Sequence, residues 1–187
     1  MKLTHILKAI ALTVILASCQ PSAQEDDSSE IAKEHNDLVI TDRDNVKDAD
    51  FIVDAVAANL SEINLAKLAL TKSTDSEVKK IAGMLEEDHT KVLSSLKGYA
   101  ATKGYSTPTT ETPAATEVRN NLAEKDGKDF NKKWCEKMQD NHNRSIRSFE
   151  SRMNKTEDVA LKDLLARTLP DLKNHLAMLK KHEDSSK

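Results

Sequence analysis

Ser76-Glu-Val-Lys-Lys-Ile-Ala-Gly-Met-Leu-Glu-Glu-Asp-His-Thr-Lys-Val-Leu-Ser-Ser-Leu96 is the stretch that decides the fold class. Val78, Ile81, Ala82, Leu85, Val92, Leu93 and Leu96 recur at three- and four-residue intervals, the spacing of one face of an α-helix. Lys, Glu and Ser fill much of the rest, so the segment is a helix with one side for a core and one for water. His89 breaks the pattern. It continues the line from Leu85 to Val92 and Leu96 and therefore points inward.

Working outward, Ser73-Thr74-Asp75-Ser76 supplies cap residues for this helix, predicted from about Ser76 to Lys103. An earlier helix is predicted from about Val46 to Lys72, with Ile52, Val56, Ile63 and Leu70 on its stripe. So short a connection makes the two an antiparallel hairpin. The stretch from Gly104 to Pro113 cannot continue a helix through Pro108 and Pro113. A brief helical piece, Thr116 to Lys125, leads to Gly127, and a third long helix runs from about Asp129 to Asn154. Thr156 is expected to cap a fourth, from about Glu157 to His182. Loops that read short, long, short are those of two helical hairpins joined by a long crossover, as in ferritin-like bundles. An up-down-up-down bundle with a decorated middle loop has the same lengths. The expected fold is all-α, a ferritin-like four-helix bundle over residues 45–183.

Residues 1–18 read as a secretory signal peptide. Lys2 and Lys8 bracket a positive start, Ala9 to Ala17 is a short uncharged apolar run, and Leu16-Ala17-Ser18 leads into Cys19. The run is too short to span a bilayer, which takes about 20 residues. Leu-Ala-Ser-Cys resembles the bacterial lipobox, in which the cysteine is acylated and becomes the new N-terminus, so Cys19 is the expected lipid anchor. Export to the cell envelope follows, as an outer-membrane or periplasm-facing lipoprotein whose membrane partner is reached through that anchor. Residues 19–44 are polar and acidic and are expected to be a disordered tether.

Composition narrows the function. The formal charge is −3, with 28 basic and 31 acidic residues and a single Trp. Basic residues are scattered over helix faces without a stripe or a stacking platform, which argues against nucleic-acid binding. No glycine-rich phosphate loop and no Ser/His/Asp or Cys/His motif of known spacing occurs, so no catalytic residue is assigned and a hydrolase is disfavoured. With Cys19 acylated, Cys135 is the one cysteine left, and core burial must carry the stability without a disulfide. It reads as an inward small hydrophobe.

Polar residues on the apolar stripes carry the candidate chemistry. On the first helix, Glu62 is flanked at helical spacing by Ala55, Ala58, Leu65, Ala66 and Ala69. On the third, His142 lies among Cys135, Met138, Ile146 and Phe149; on the fourth, His175 shares a face with Leu161, Leu164, Leu172 and Leu179. Glu86 and Asp88 sit on the two edges of the His89 stripe, about 60° from it in the case of Glu86, and Asp171 lies one turn before His175. Counted from the turns, Glu62 matches His89 and His142 matches Asp171, with His175 one turn further; each lies near the middle of its helix, so Glu62, His89, His142 and His175 are expected to share a layer. One carboxylate and three imidazoles are therefore expected to converge as metal ligands, with Glu86, Asp88 and Asp171 as secondary candidates. Such a layer costs several kcal/mol unless coordinated or hydrogen-bonded. A single transition-metal ion, Zn, Cu, Fe or Mn, satisfies it, and so does a buried polar network completed by water. If a metal binds, its affinity is expected to fall below about pH 6, as protons compete for imidazoles of ordinary pKa near 6.5.

These residues also carry a resemblance. Ser61-Glu62-Ile-Asn-Leu-Ala-Lys-Leu-Ala, Val78-Lys-Lys-Ile-Ala-Gly-Met84 with Asp88-His89, Phe130 followed by Met138 and His142, and Leu169-Pro170-Asp-Leu-Lys-Asn-His175 resemble, in order, the motifs of the ferritin-like domain-of-unknown-function family four-one-four-two. That family occurs in exported bacterial proteins labelled predicted membrane or outer membrane protein. The match runs from about Asp48 to Leu179. It implies a ferritin-like four-helix fold without an established activity, and the matching site positions are Glu62, Asp88, His89, His142 and His175. Diiron members of the ferritin-like class use Glu-x-x-His on two helices. Here Glu86-x-x-His89 fits once, Gln139 stands before His142, and Asp171 precedes His175 at a spacing of four. Too few carboxylates converge to bridge two irons, so a mononuclear site is expected. A metal-binding envelope protein is the first functional reading. A lipid-tethered interaction module without metal is the second; Trp134 is its best candidate contact, although core packing is the first reading of that residue.

Overall fold

The computed structural model describes residues 27–185, so the expected signal peptide, the lipidation at Cys19 and the first part of the tether lie outside the described residues. Six helices and no strand occur among them: α1 Ser28–Val39, α2 Arg43–Lys72, α3 Ser76–Lys103, α4 Pro113–Ala123, α5 Gly127–Met153 and α6 Val159–Ser185. Local chemistry marks the ends. Asp42 and Asp75 accept from the first free N–H groups of α2 and α3, as N-caps do. Gly104, at φ 69°, closes α3 in the left-handed conformation that costs glycine little. Thr156 was expected to cap the last helix. Asp158 does so instead, accepting from the Leu161 N–H, while Thr156 supports it through the Asp158 N–H.

The four long helices pair as α2 with α3 and α5 with α6, and the pairs meet through α2 on α5 and α3 on α6. Two apolar clusters show their directions. One holds Ile52 and Val56 of α2, Leu96 of α3, Phe149 of α5 and Leu161 to Leu172 of α6. The other holds Leu65 and Ala69, Val78 to Leu85, Phe130 to Met138, and Leu179. Along the chain α2 and α6 run from the first cluster to the second, and α3 and α5 run from the second to the first. Because α3 and α5 are parallel, the segment between them must travel the length of the molecule. It carries α4, which packs against α2 and α5 on the way. Trp134 is fully buried and donates its ring N–H to the Leu65 carbonyl at 2.9 Å, so it belongs to the core and offers no docking surface. Among the described residues no helix is long and apolar enough to cross a membrane.

The expectation of a disordered tether to residue 44 is corrected by α1. Asp27 caps it, and Ser29, Ala32 and Asn36 face inward. Asn36 clasps the backbone of Ser106, accepting its N–H at 2.7 Å and donating to its carbonyl at 3.1 Å, while Lys33 pairs with Asp54 of α2 at 2.6 Å. The segment is held by hydrogen bonds and buries little apolar surface, since Ile31, Leu38 and Val39 stay exposed, which is why no apolar stripe marks it in the sequence. Asn36→Ala leaves two Ser106 backbone groups unpaired, a loss of about 1–3 kcal/mol. Hydrogen exchange should then accelerate across residues 28–39 while the core of α2, α3, α5 and α6 stays protected. Unchanged exchange in α1 would contradict this account of its attachment.

Candidate metal centre

Between the two apolar clusters lies one polar layer. α2 contributes Asn59 and Glu62, α3 His89, α5 His142 and α6 His175, all at most 4% exposed. Each stands where its helix passes from one cluster to the other, so the apolar stripes on either side fix its level and direction.

Three imidazoles turn one nitrogen each toward a common point. His142 Nε2 lies 3.3 Å from His89 Nε2 and 3.3 Å from His175 Nδ1, and the three ligand atoms are all within 4.8 Å of one another. The opposite nitrogens are committed elsewhere. His142 Nδ1 is 2.8 Å from the Met138 carbonyl, which can only accept, so this nitrogen carries the proton. Asn59 donates its amide N–H to the Ala55 carbonyl at 2.8 Å, which turns Asn59 Oδ1 toward His89 Nδ1 at 2.9 Å and makes that nitrogen a donor. His175 Nε2 donates to Asp88 Oδ2 at 3.2 Å. With all three outer nitrogens protonated, the three inner ones present lone pairs to each other. Two nitrogens bound at 2.0–2.1 Å to one tetrahedral ion stand about 3.3 Å apart. Outer-nitrogen bonds to a carbonyl, an amide oxygen and a carboxylate are the usual means of fixing the tautomer of a metal-binding histidine.

Glu62 occupies a different side of the layer from the one expected of a ligand. Its Oε2 is 3.2 Å from His89 Nδ1 and its Oε1 is 3.6 Å from His142 Nδ1, both outer nitrogens. Oε1 has no hydrogen-bond partner although buried. The expected convergence of one carboxylate with three imidazoles is thus realised with the carboxylate behind two of the rings. Asp88 supports His175 and also meets Lys91 at 3.2 Å. Glu86 is a third exposed and reaches toward Lys67 at 3.9 Å, away from the layer, because its edge of the stripe opens to solvent. Asp171 is exposed and acts on His175 through its charge without contact. Asn59 was not singled out by the sequence reading. Its signal was a polar side chain three residues before Glu62 on an alanine-rich inward face.

Burial sets the electrostatics. It holds His89 well below the ordinary imidazole value, with His142 and His175 adding to the effect, and brings His142 down to about 4. Burial lowers His175 too, against the pull of Asp88. The same desolvation pushes the Glu62 carboxyl up to about 8, opposed by the more distant charges of Arg144 and Lys137. Burial likewise raises the Cys135 thiol to about 12, which leaves it inert as a nucleophile.

These shifts have opposite signs in the metal-free protein. Between about pH 4 and 6.5 the unfolded chain binds protons that folded His142 refuses, so stability falls as pH drops through that window. Between 4.5 and about 8 folded Glu62 keeps a proton the unfolded chain has lost, so stability falls as pH rises there. The metal-free melting temperature should peak near about pH 6. Glu62→Gln should flatten the alkaline limb and leave the acid limb in place. A parent profile without an alkaline limb, or one unchanged in the variant, would contradict the assignment.

An all-helical protein with a buried three-histidine centre is what the fold and the site define. The chain belongs to the family described as Domain of unknown function (DUF4142), which matches residues 39–181. No curated protein and no solved structure matches the chain.

Proposed function

We propose that this protein is an exported, lipid-anchored helical bundle of ferritin-like topology that holds one transition-metal ion on His89, His142 and His175. The observation that carries this reading is the meeting of three imidazole lone pairs, with His142 Nε2 3.3 Å from each of the other two and every outer nitrogen already donating. Without a cation or a donor at their centre those lone pairs repel one another at a buried point. The parallel run of α3 and α5 supports the ferritin-like crossover. Three neutral nitrogens, with no carboxylate oxygen or thiolate beside them, suit Zn, Cu or Fe(II) better than Mn, which favours oxygen ligands. Three protein ligands also leave a fourth position for water or a small molecule. Glu86 turned to the surface removes the bridging carboxylate a diiron centre would need, so storage, buffering or sensing of a single ion is the role proposed.

Elemental analysis of the purified, untagged chain, dialysed after exposure to Zn, Cu, Mn and Fe(II), tests this directly. About one ion per chain with a rise in melting temperature is expected. If no metal is retained and none stabilises, the layer is a buried polar network, and the second reading, an interaction module of the envelope, takes its place.

The anchor rests on Cys19 following Leu16-Ala17-Ser18. Cys19→Ser should release the protein from the membrane fraction or block its processing. A variant that is processed and stays membrane-bound like the parent would overturn the lipoprotein assignment.

A further inference from the structure

A cleft of about 360 Å³ lies between α2, α4 and α5, on a different face from the α3/α6 edge where Asp88 meets His175. Ala57 and Ala58 of α2 and Ala115 and Val118 of α4 give it apolar walls, and Lys137 and Arg144 of α5 bring two positive charges. Its one acid, Asp54, is already paired with Lys33 at 2.6 Å. Among the described residues no carboxylate lies within ion-pair distance of Lys137 or Arg144. Asp140, the nearest acid in sequence, lines a neighbouring groove with Arg144 and acts on Lys137 through its charge without pairing with either. Asn141 accepts from Arg144 Nη2 at 2.6 Å, which fixes one end of the guanidinium and leaves its other N–H groups free to donate. Burial, and then the charge of Arg144, hold the Lys137 amine below its ordinary pKa, against the weaker pull of Asp140 and Glu62.

A neighbouring groove shares Arg144 and adds Arg147, but it also holds Asp140 and has no apolar wall. In the α3/α6 cleft Lys91 is paired with Glu87 and Asp88. In the groove beside Phe51, Arg152 is paired with Asp48.

We propose that the α2/α4/α5 cleft binds a small organic oxyanion, a carboxylate or phosphate ester with a short apolar portion. Arg144 and Lys137 neutralise the charge, Ser61, Asn141 and Ser145 line the polar side, and the alanines and Val118 receive the apolar part. An oxyanion is the chemistry that a guanidinium and an ammonium recognise together. No histidine of the metal centre lines the cleft, while Glu62 feels the charges of Arg144 and Lys137, so the test is run on metal-free protein.

The full chain is titrated with inorganic phosphate and, separately, with acetate, at ionic strength held constant with chloride, and followed by amide chemical shifts. Saturable shifts confined to residues lining the cleft are expected with at least one probe, and the stronger probe tells a phosphate site from a carboxylate site. Arg144→Gln and Lys137→Gln, both at or near the surface and so expected to fold, should each weaken binding about tenfold or more. Lys80→Gln, on the exposed face of α3, should leave it unchanged. No saturation with either probe, or equal binding by parent and both cleft variants, overturns the proposal.

Discussion

His142→Ala is expected to abolish the rise in melting temperature that zinc should produce in the parent protein. His142 is the centre of the cluster, since both 3.3 Å nitrogen contacts are made by its Nε2. A ligand that binds only the folded state stabilises it by about 2.7 kcal/mol at a hundredfold excess over its Kd. For a chain of this size that is a shift of about 5–10 °C. Without His142 two imidazoles remain, and the shift at the same zinc concentration should vanish. Glu87→Ala, on the exposed face of α3, should behave as the parent does. The acid limit follows from burial. An imidazole of ordinary pKa would lose its metal below about pH 6, but with His142 held down to about 4, zinc should still stabilise the protein at pH 6 and lose its effect only toward about 4. Equal stabilisation of the parent and His142→Ala would place the metal elsewhere.

Asp48→Ala should destabilise the fold by about 3–5 kcal/mol, the cost of leaving a buried charge without its partner. Asp48 near the start of α2 is 2% exposed and accepts from Arg152 Nε near the end of α5 and from Thr156 Oγ1 at 2.8 Å. It joins the start of the first hairpin to the turn of the second. Arg152 is itself 8% exposed and could not simply return to water. Urea denaturation measures the loss, which is a large part of the 5–15 kcal/mol typical of a domain. Asp44→Ala, which breaks an exposed pair with Lys47, should cost far less. Similar midpoints for the two variants would show that the Asp48 network contributes nothing special.

How much of this was legible in the sequence depended on what each part is made of. Helices α2, α3 and α5 could be bounded within about three residues because apolar stripes and N-caps are written in side chains. α1 could not, since Ser29, Ala32 and Asn36 form no apolar stripe and its partners, Ser106 and Thr110, are far away in sequence. The three histidines stood out as imidazoles on otherwise apolar stripes, and their mid-helix positions put them in one layer, although counting from the turns matched His142 with Asp171 and left His175 one turn further. Counting does not say which atom of a side chain meets which neighbour, so Glu62 was read as a ligand although its oxygens lie behind two of the rings. The Met138 carbonyl, a backbone acceptor, left no sequence signal at all.

X-ray absorption at the zinc edge, on the dialysed full chain, tests the central claim most directly. One zinc per chain is expected, with three imidazole nitrogens at about 2.0–2.1 Å and no sulfur shell at about 2.3 Å. No retained zinc, or a shell of oxygens without imidazole scattering, would contradict it.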